Sequence, residues 1–404
     1  MATNKEQNKL NVPHLRFPEF HGEWCVSTIG EQFDLYSGNT PSRLNKEHFE
    51  GNVNWITSGE LKEHYISDTK EKISEDAATA NNLKLLHPGT FVIAIYGLEA
   101  DGVRGTGSIT CKESTISQAC MAFTQKGDVK NEFLYSWYKK HGNIIGIKYA
   151  QGTKQQNLSY DILEKFHIAY PSQDEQDKLI KFISLLDERI ASQSKLIEKL
   201  ESLIKGINQR VFMNSGNNYK LGEICEIRSG YSGSQLLSKK GLKVSRIETI
   251  SGHKVNMERV GYVAPFESSE NYRLRVGDIL FSNINSVEYI GNTAFIDKDY
   301  DLYHGMNLLR LTPNHIVVIP FYLYLLLNTN RMLNRFKAVC NKAVSQASIN
   351  QTELGKTVVQ IPPINTQEQI CELYQALYTK LETESHTKSL FQNQKQYMLR
   401  QMFI

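Results

Sequence analysis

Three short stretches of this chain place residues in an order that chemistry uses. Gly355-Lys356-Thr357 has the ending of the Gly-x4-Gly-Lys-Ser/Thr loop, in which backbone amides cradle nucleotide phosphates. The loop's first glycine is missing: position 350 is Asn, and Asn350 with Glu353 reads as the start of a helix. Ile361-Pro362-Pro363-Ile364 has the prolines of the Asn/Asp-Pro-Pro-aromatic loop that holds an adenine amino group for methylation, but not its amide, carboxylate or ring. Glu60-Leu61-Lys62 could form part of a nuclease triad, a pattern short enough to arise in most chains of this size. No Ser/His/Asp or His-x-x-x-His arrangement stands out. The six cysteines (25, 111, 120, 225, 340 and 371) lie far apart without a Cys-x-x-Cys pair, which predicts reduced, mostly buried thiols rather than a zinc or redox motif. The expectation is a chain without catalysis, metal or cofactor of its own.

Recognition is the chemistry that remains. Arg, Lys, Asn and Gln can make paired hydrogen bonds to base edges, while Ser, Thr and Tyr meet phosphates. The first half offers Arg43 and Lys46, then Arg104 framed by Gly102, Gly105 and Gly107 so that backbone could approach a duplex, then Lys148 to Gln156 with Lys154 and Gln155. The second half offers Lys239, Lys240, Lys243 and Arg246, then Arg273 and Arg275, then Arg331, Arg335, Lys337 and Lys342. The polar run from Gln151 to Leu158 precedes a helix begun by Ser159, and Asn341 to Ser348 precedes the helix of Asn350. Helix N-termini so placed suit phosphate oxygens, and they equally suit plain capped loops.

The elements that must position these side chains occur twice. Gly30-Glu31 and Ser37-Gly38 return as Gly222-Glu223 and Ser229-Gly230, a shift of 222 − 30 = 192. Pro88-Gly89 matches Val276-Gly277, and Phe133-Leu134-Tyr135 matches Phe321-Tyr322-Leu323, both shifted by 188. Leu158-Ser159 matches Ile349-Asn350 at 191, and Glu175-Gln176 matches Glu368-Gln369 at 193. Small drifts are what loop insertions produce, so the chain reads as two copies of one domain. Within each, Val92–Tyr96 and Ile279–Ser282 read as buried strands, and Phe133–His141 and Phe321–Asn330 as helices.

Each copy ends in a long helix. Ser172 to Glu175 and Asn365 to Glu368 read as capping boxes behind prolines. Ile183, Ile190, Ile197, Ile204 and Val211 hold one heptad position, and Leu186, Gln193, Leu200 and Ile207 the other. That is a coiled-coil seam, in a rod of about 43 Å for roughly 29 residues. The C-terminal heptad is poorer: Tyr374, Leu381, Lys388, Lys395 and Met402 alternate with Leu377, Glu384, Phe391 and Met398. Such a helix needs a partner. Antiparallel packing on the first seam is preferred here to a parallel dimer of two chains, which Ile at the a positions would otherwise favour.

The bulk numbers fit two cored domains plus helices: 404 residues, 40% hydrophobic, 22% charged, net charge +3. Without a membrane span or a signal-peptide core, a cytoplasmic protein is expected. Residues 1–160 hold 17 Lys+Arg against 18 Asp+Glu, and residues 215–355 hold 16 against 12. A general electrostatic DNA binder would be more positive; a reader of bases through a few placed side chains need not be.

Ser37-Gly38-Asn39-Thr40-Pro41, then Gly152-Thr153-Lys154-Gln155-Gln156-Asn157-Leu158-Ser159, then a strand, a proline and a Glu-Gln-opened helix, resemble the specificity subunit of type I restriction-modification enzymes. Leu15-Arg16-Phe17-Pro18-Glu19-Phe20 resembles that family's opening segment, and the likeness covers nearly the whole chain. The resemblance implies an α/β (α+β) fold with two similar target recognition domains about a pseudo-two-fold, separated by an antiparallel two-helix coiled coil. The corresponding segments would be residues 1–165 and 215–360 for the domains, and 166–214 and 361–404 for the helices. It further implies that each domain reads half of a bipartite, asymmetric site in double-stranded DNA, and that the helices set the spacer and dock two methylation subunits. S-adenosylmethionine, ATP and magnesium would belong to the methylation and restriction partners. The second copy departs from the pattern with Gly230-Tyr231-Ser232-Gly233 and with Asn341-Lys342-Ala343 in place of Gly-Thr-Lys. On the residues alone a coiled-coil scaffold for protein partners, without sequence-specific DNA binding, stays open, as does an enzyme with an unrecognised site.

Overall fold

The computed structural model describes residues 11–100, 102–152, 156–212, 216–342 and 346–404, so Lys154 and Gln155 lie outside it. The chain divides into two compact units: Met1–Ser194 with His386–Ile404, and Lys195–Ser385.

In the first unit a five-stranded sheet runs in the order Phe33–Ser37, Cys120–Gln125, Phe91–Ala94, Gly107–Thr110, Tyr65–Ile66. A three-stranded sheet of Lys72–Ile73, Val53–Ile56 and Ser114–Ile116 lies beyond it in the topology, and Cys25–Thr28 pairs with His167–Tyr170. The helix Asn131–Tyr149 presents Phe133, Leu134, Trp137 and Tyr138 to the same core as Phe91 and Ile93. In the second unit the order is Cys225–Ser229, Leu309–Pro313, Ile279–Phe281, Thr293–Phe295, and Asn217–Lys220 pairs with Val358–Ile361. Here the helix breaks into Pro320–Leu327 and Asn330–Val339, because the Thr329 hydroxyl caps a new start by accepting from the Met332 amide.

The duplication is thus one of strand register. Leu35 pairs with Phe123 and Phe91 with the same Phe123; Ile227 pairs with Leu311 and Ile279 with the same Leu311. The shifts are 227 − 35 = 192 and 279 − 91 = 188. Glycine marks the repeat for a steric reason. A Cβ on Gly38 would lie 1.8 Å from the Ile116 carbonyl oxygen, and one on Gly230 would lie 1.9 Å from that of Gly305. Gly89 and Gly277 both turn with φ near +90°, at +86° and +97°. The match of Leu158 with Ile349 also holds: their amides donate to the equivalent carbonyls of Ile95 and Asn283.

Both long helices are continuous, Gln173–Val211 and Ile364–Met402, each 39 residues and so about 58 Å long. They exceed the expected rod because the first turns, ahead of the apolar seam, are helical too. Two expectations at their starts are corrected. Glu175 does not reach back to the helix start; its carboxylate takes two nitrogens of Arg16, at 2.7 and 2.8 Å. The second helix begins at Ile364, which puts Asn365 inside its first turn rather than at a cap. The true equivalents are Gln176 and Gln367, a shift of 191: each is fully buried and donates to a proline carbonyl, of Pro171 and Pro362.

In the first unit the start of the central helix packs on the end of the C-terminal helix. Leu179, Ile183 and Leu186 share a core with Leu399, Met402 and Phe403, joined by partly buried Met398, and Arg189 lies over the Phe391 ring. In the second unit the end of the central helix packs on the start of the other: Ile204, Ile207 and Val211 with Ile370, Tyr374, Leu377 and Leu381, and Tyr374 donates to Asn208. Partner numbers fall as the central helix ascends, the antiparallel arrangement preferred above. Ile190, Ile197 and Leu200 are likewise less exposed than their immediate neighbours. The cysteines are free and mostly buried, as expected: Cys120, Cys225, Cys340 and Cys371 are buried, and Cys25 and Cys111 are exposed.

Candidate nucleic-acid interface

The first unit's opening segment clasps the start of the central helix. Besides the Arg16–Glu175 pair, Phe17 meets Phe182 edge-on at 5.9 Å, and Lys178 pairs with Glu19. His64 joins the recognition sheet to both helices. Its ring is stacked between Tyr65 and Tyr135, with centroids 4.1 and 3.9 Å away. Its Nε2 lies 2.8 Å from Glu132, and its Nδ1 makes a charge contact at 3.4 Å with Asp187 of the central helix. The other Asp187 oxygen accepts from Lys395 of the C-terminal helix at 2.5 Å. Burial alone would lower the pKa of His64, but Asp187 and Glu132 outweigh it and hold the imidazole above its ordinary value. Burial would likewise raise Asp187, and His64 with Lys395 keep it below the usual carboxylate range. Lys139, over the Tyr135 ring, is pushed down to about 8 by burial and by Lys395.

Of the first unit's candidate contacts, Arg43 is exposed but held: Glu71 accepts from it at 2.6 and 2.8 Å, and its guanidinium lies over Phe49 and Trp55. Lys46 opens a short 3-10 helix and is exposed, as is Lys148 in the last turn of Asn131–Tyr149. Arg104 is half-buried, with its stem across Gly146 and its Nη2 donating to Gln156 at 2.8 Å. Two of the glycines around it serve packing inside the domain: a Cβ on Gly105 would meet the Asn143 amide nitrogen at 2.9 Å, and one on Gly107 would meet the Phe91 ring at 2.8 Å, while Gly102 is exposed and turns with φ +77°.

In the second unit Lys239, Lys240, Arg275 and Lys342 are exposed, and Lys243 and Lys337 are half-buried. Arg246 sits 3.4 Å from Glu248, and Arg273 sits 3.1 Å from Asp299. Arg331 and Arg335 share a cleft of about 560 Å³ with Lys205, Asn208 and Gln360. Arg335 donates to the Val358 carbonyl there.

Sequence reasoning missed a second cleft, of about 460 Å³, lined by Arg228, Asn271, Tyr272, His304, Arg310 and Gln351. Arg228 and Arg310 are direct cross-strand partners. Like charges placed opposite each other destabilise a sheet. Glu226 relieves the first at 2.7 Å, and the carbonyls of Arg273 and Asn271 accept from the second at 3.1 and 3.2 Å. At the equivalent first-unit positions stand Tyr36 and Ala122. The signal was present as a charge inside the apolar run Leu309-Arg310-Leu311. His304 beside it is pushed down to about 4 by burial, with Arg310 adding to the effect, and stays neutral.

The sequence motifs that looked catalytic have structural duties. Gly355 ends a helix and Lys356 pairs with Glu353, while Glu60 accepts from the amides of Thr57 and Lys70. Among the described residues no helix is long and apolar enough to cross a membrane.

A duplicated strand-and-helix domain with a long helix after each copy, carrying cationic clefts and loops, defines a tandem recognition protein. The description of the type I restriction modification DNA specificity domain matches residues 21–202 and 215–390, and the chain belongs to that family. The MjaX specificity subunit of Methanocaldococcus jannaschii is 38% identical over 188 residues, 46% of this chain and 44% of that one. The chain thus spans under half the length of that relative. The MjaVIII specificity subunit of the same organism is 23% identical over 430 residues, 99% of this chain and 96% of that one. Two solved structures share the fold. The S subunit of a type I restriction-modification system from M. genitalium has 18% identity and a TM-score of 0.58, over 97% of this chain and 99% of that one. A chain from a study of type I R-M complex assembly and conformational transition has 17% identity and a TM-score of 0.62, over 93% and 96%. The family and fold class read from the motifs are those found.

Proposed function

We propose that this chain gives a type I restriction-modification assembly its DNA address. Each recognition domain reads one half of a bipartite, asymmetric site in double-stranded DNA, and the paired helices fix the spacer and dock two methylation subunits. Restriction subunits join that core in the cytoplasm. The chemistry belongs to the partners: adenine methylation with S-adenosylmethionine, and translocation and cleavage with ATP and magnesium. The observation that carries the reading is the repetition of one strand register in two units whose loops and clefts differ. Equivalent scaffolds with different surfaces suit two different half-sites. The exposed or cleft-lining cations, Lys46, Lys148, Lys239, Lys240, Lys342, Arg331 and Arg335, supply phosphate contacts.

The test is to sequence methylated adenines in cells that carry this chain with its partner genes. A single motif of two defined halves around a fixed run of undefined bases is expected. Methylation without such a motif, or DNA binding by the assembled complex that ignores sequence, would leave the chain a protein scaffold.

A further inference from the structure

The two most exposed large apolar side chains of the described residues are Leu44, at 98%, and Leu237, at 109% of full exposure; Ile316 follows at 86%. They belong to the same loop of the two copies. After Ser37-Gly38 and Ser229-Gly230 the loops diverge, yet Ser42 and Leu44 return as Ser234 and Leu236, both shifted by 192. In the second copy Leu236 is drawn in, 40% exposed, and Leu237 beside it takes the tip.

Both tips are held by their neighbours. Arg43 is fixed by Glu71 and by two rings, the Asn45 amide donates to the Ser42 carbonyl, and the Asn45 side chain caps the following 3-10 helix. In the second copy Gln235 bridges to Val263, and the Leu236 amide donates to the Tyr262 carbonyl at 2.7 Å. A lone exposed leucine is ordinary. Two at equivalent tips, each on anchored backbone and within three residues of exposed cations (Lys46; Lys239 and Lys240), are not explained by scatter. A protein interface would bury a broad contiguous apolar patch, whereas Leu44 stands among Ser42, Arg43, Asn45 and Lys46, and Leu237 has only Leu236 beside it among Gln235, Ser238 and Lys239. Cations beside one apolar tip match a partner with phosphates outside and apolar base faces and methyl groups within reach.

We propose that Leu44 and Leu237 make the apolar contact with a base in DNA, one in each half-site. This rests on the specificity reading above and adds a mode of contact that the cationic side chains do not provide. A contact of this kind takes one of two forms, a wedge between base pairs or packing on a thymine methyl.

The experiment uses the chain assembled with its methylation partners and a duplex of the motif found by methylome sequencing. One arm places 2-aminopurine at successive steps, where a wedge raises fluorescence. The other replaces each thymine by uracil, where methyl packing weakens binding. Leu44→Ser should abolish the response in one half-site only and Leu237→Ser in the other, each weakening binding roughly tenfold. Leu44→Met should retain most of the response. Wild-type complex that prefers its motif but responds in neither arm, or Ser variants that bind as wild type does, would overturn the proposal while leaving the specificity reading intact. Loss of methylation-subunit binding with DNA contacts unchanged would instead assign the leucines to a protein and overturn it equally. Wild-type complex without sequence preference would remove the specificity reading first, and this proposal with it.

Discussion

The two recognition domains agree where their backbones touch and differ where their side chains face clefts and loop tips. Both keep the order of four core strands, the glycine that lets a loop pass over a carbonyl, and the buried glutamine that ties a helix start to a proline. They part at Tyr36 and Ala122 against Arg228 and Arg310, at an unbroken helix against one restarted at Thr329, and in net charge: 17 − 18 = −1 against 16 − 12 = +4. Positions that meet backbone tolerate no change, because the main chain cannot yield. Positions that meet open space can be exchanged without unfolding the domain.

The comparison can be pressed hardest at the helices. One extra heptad in each, after Leu200 and after Leu381 so that the antiparallel seams stay matched, lengthens both by about 10 Å, roughly three base pairs. Methylome sequencing should show a longer spacer between unchanged half-sites; altered letters with an unchanged spacer would break the division of labour. Next come the shared glycines. Gly38→Ala and Gly230→Ala should destabilise their own units alike, by about 1–3 kcal/mol or more, because either Cβ meets a carbonyl. Denaturant midpoints test this, and a large difference between the two would mean the loops are not equivalent. The domains should then differ in specificity. Arg310→Met is expected to relax the half-site read by the second domain and to leave the other unchanged, by about 1–3 kcal/mol if the side chain reads a base. Gel-shift competition against half-site variants measures this, and equal weakening on both halves would count against that assignment.

The smallest effect concerns the first domain's seat on its helices. His64, held above its ordinary value, adds stability that is complete below about pH 6.5 and is lost as pH rises through its folded pKa. Asp187, held low, adds stability that is complete above about pH 4 and is lost only in stronger acid. The tie is strongest between those limits. His64→Gln should therefore lower Tm most near pH 5–6 and progressively less toward pH 8. His141 and His304, both pushed down to about 4 chiefly by burial, lose stability as pH falls below about 6.5, but they do so in both proteins and cancel in the difference. A Tm gap independent of pH would mean that the stacked ring matters and its charge does not.

Much of this was legible because apolar spacing and glycine obey local rules. The seam from Ile183 to Val211 reads directly as a heptad, and so do the less apolar C-terminal positions, where Lys395 is sheltered by its pair with Asp187 and Glu384 by its pair with Lys380. The departures at the second loop became intelligible only in three dimensions. Tyr231, where the first copy has Asn39, stacks on Phe266 at 3.9 Å and fills a small core of its own. Arg104 shows the opposite failure: its glycine frame suggested an approaching duplex, and what approaches is the helix of Gly142 and Gly146.

The sequence by itself determined that there are two copies, that each ends in a long helix, and to which family they belong, since periodicity and repeated glycines are written one residue after another. Only the tertiary structure decided that Glu175 serves Arg16, that Gln176 and Gln367 are the true pair, and that Arg228 lies beside its cross-strand partner Arg310 in one cleft. Those facts depend on residues far apart in the chain meeting at one distance, and one-dimensional spacing does not carry that information.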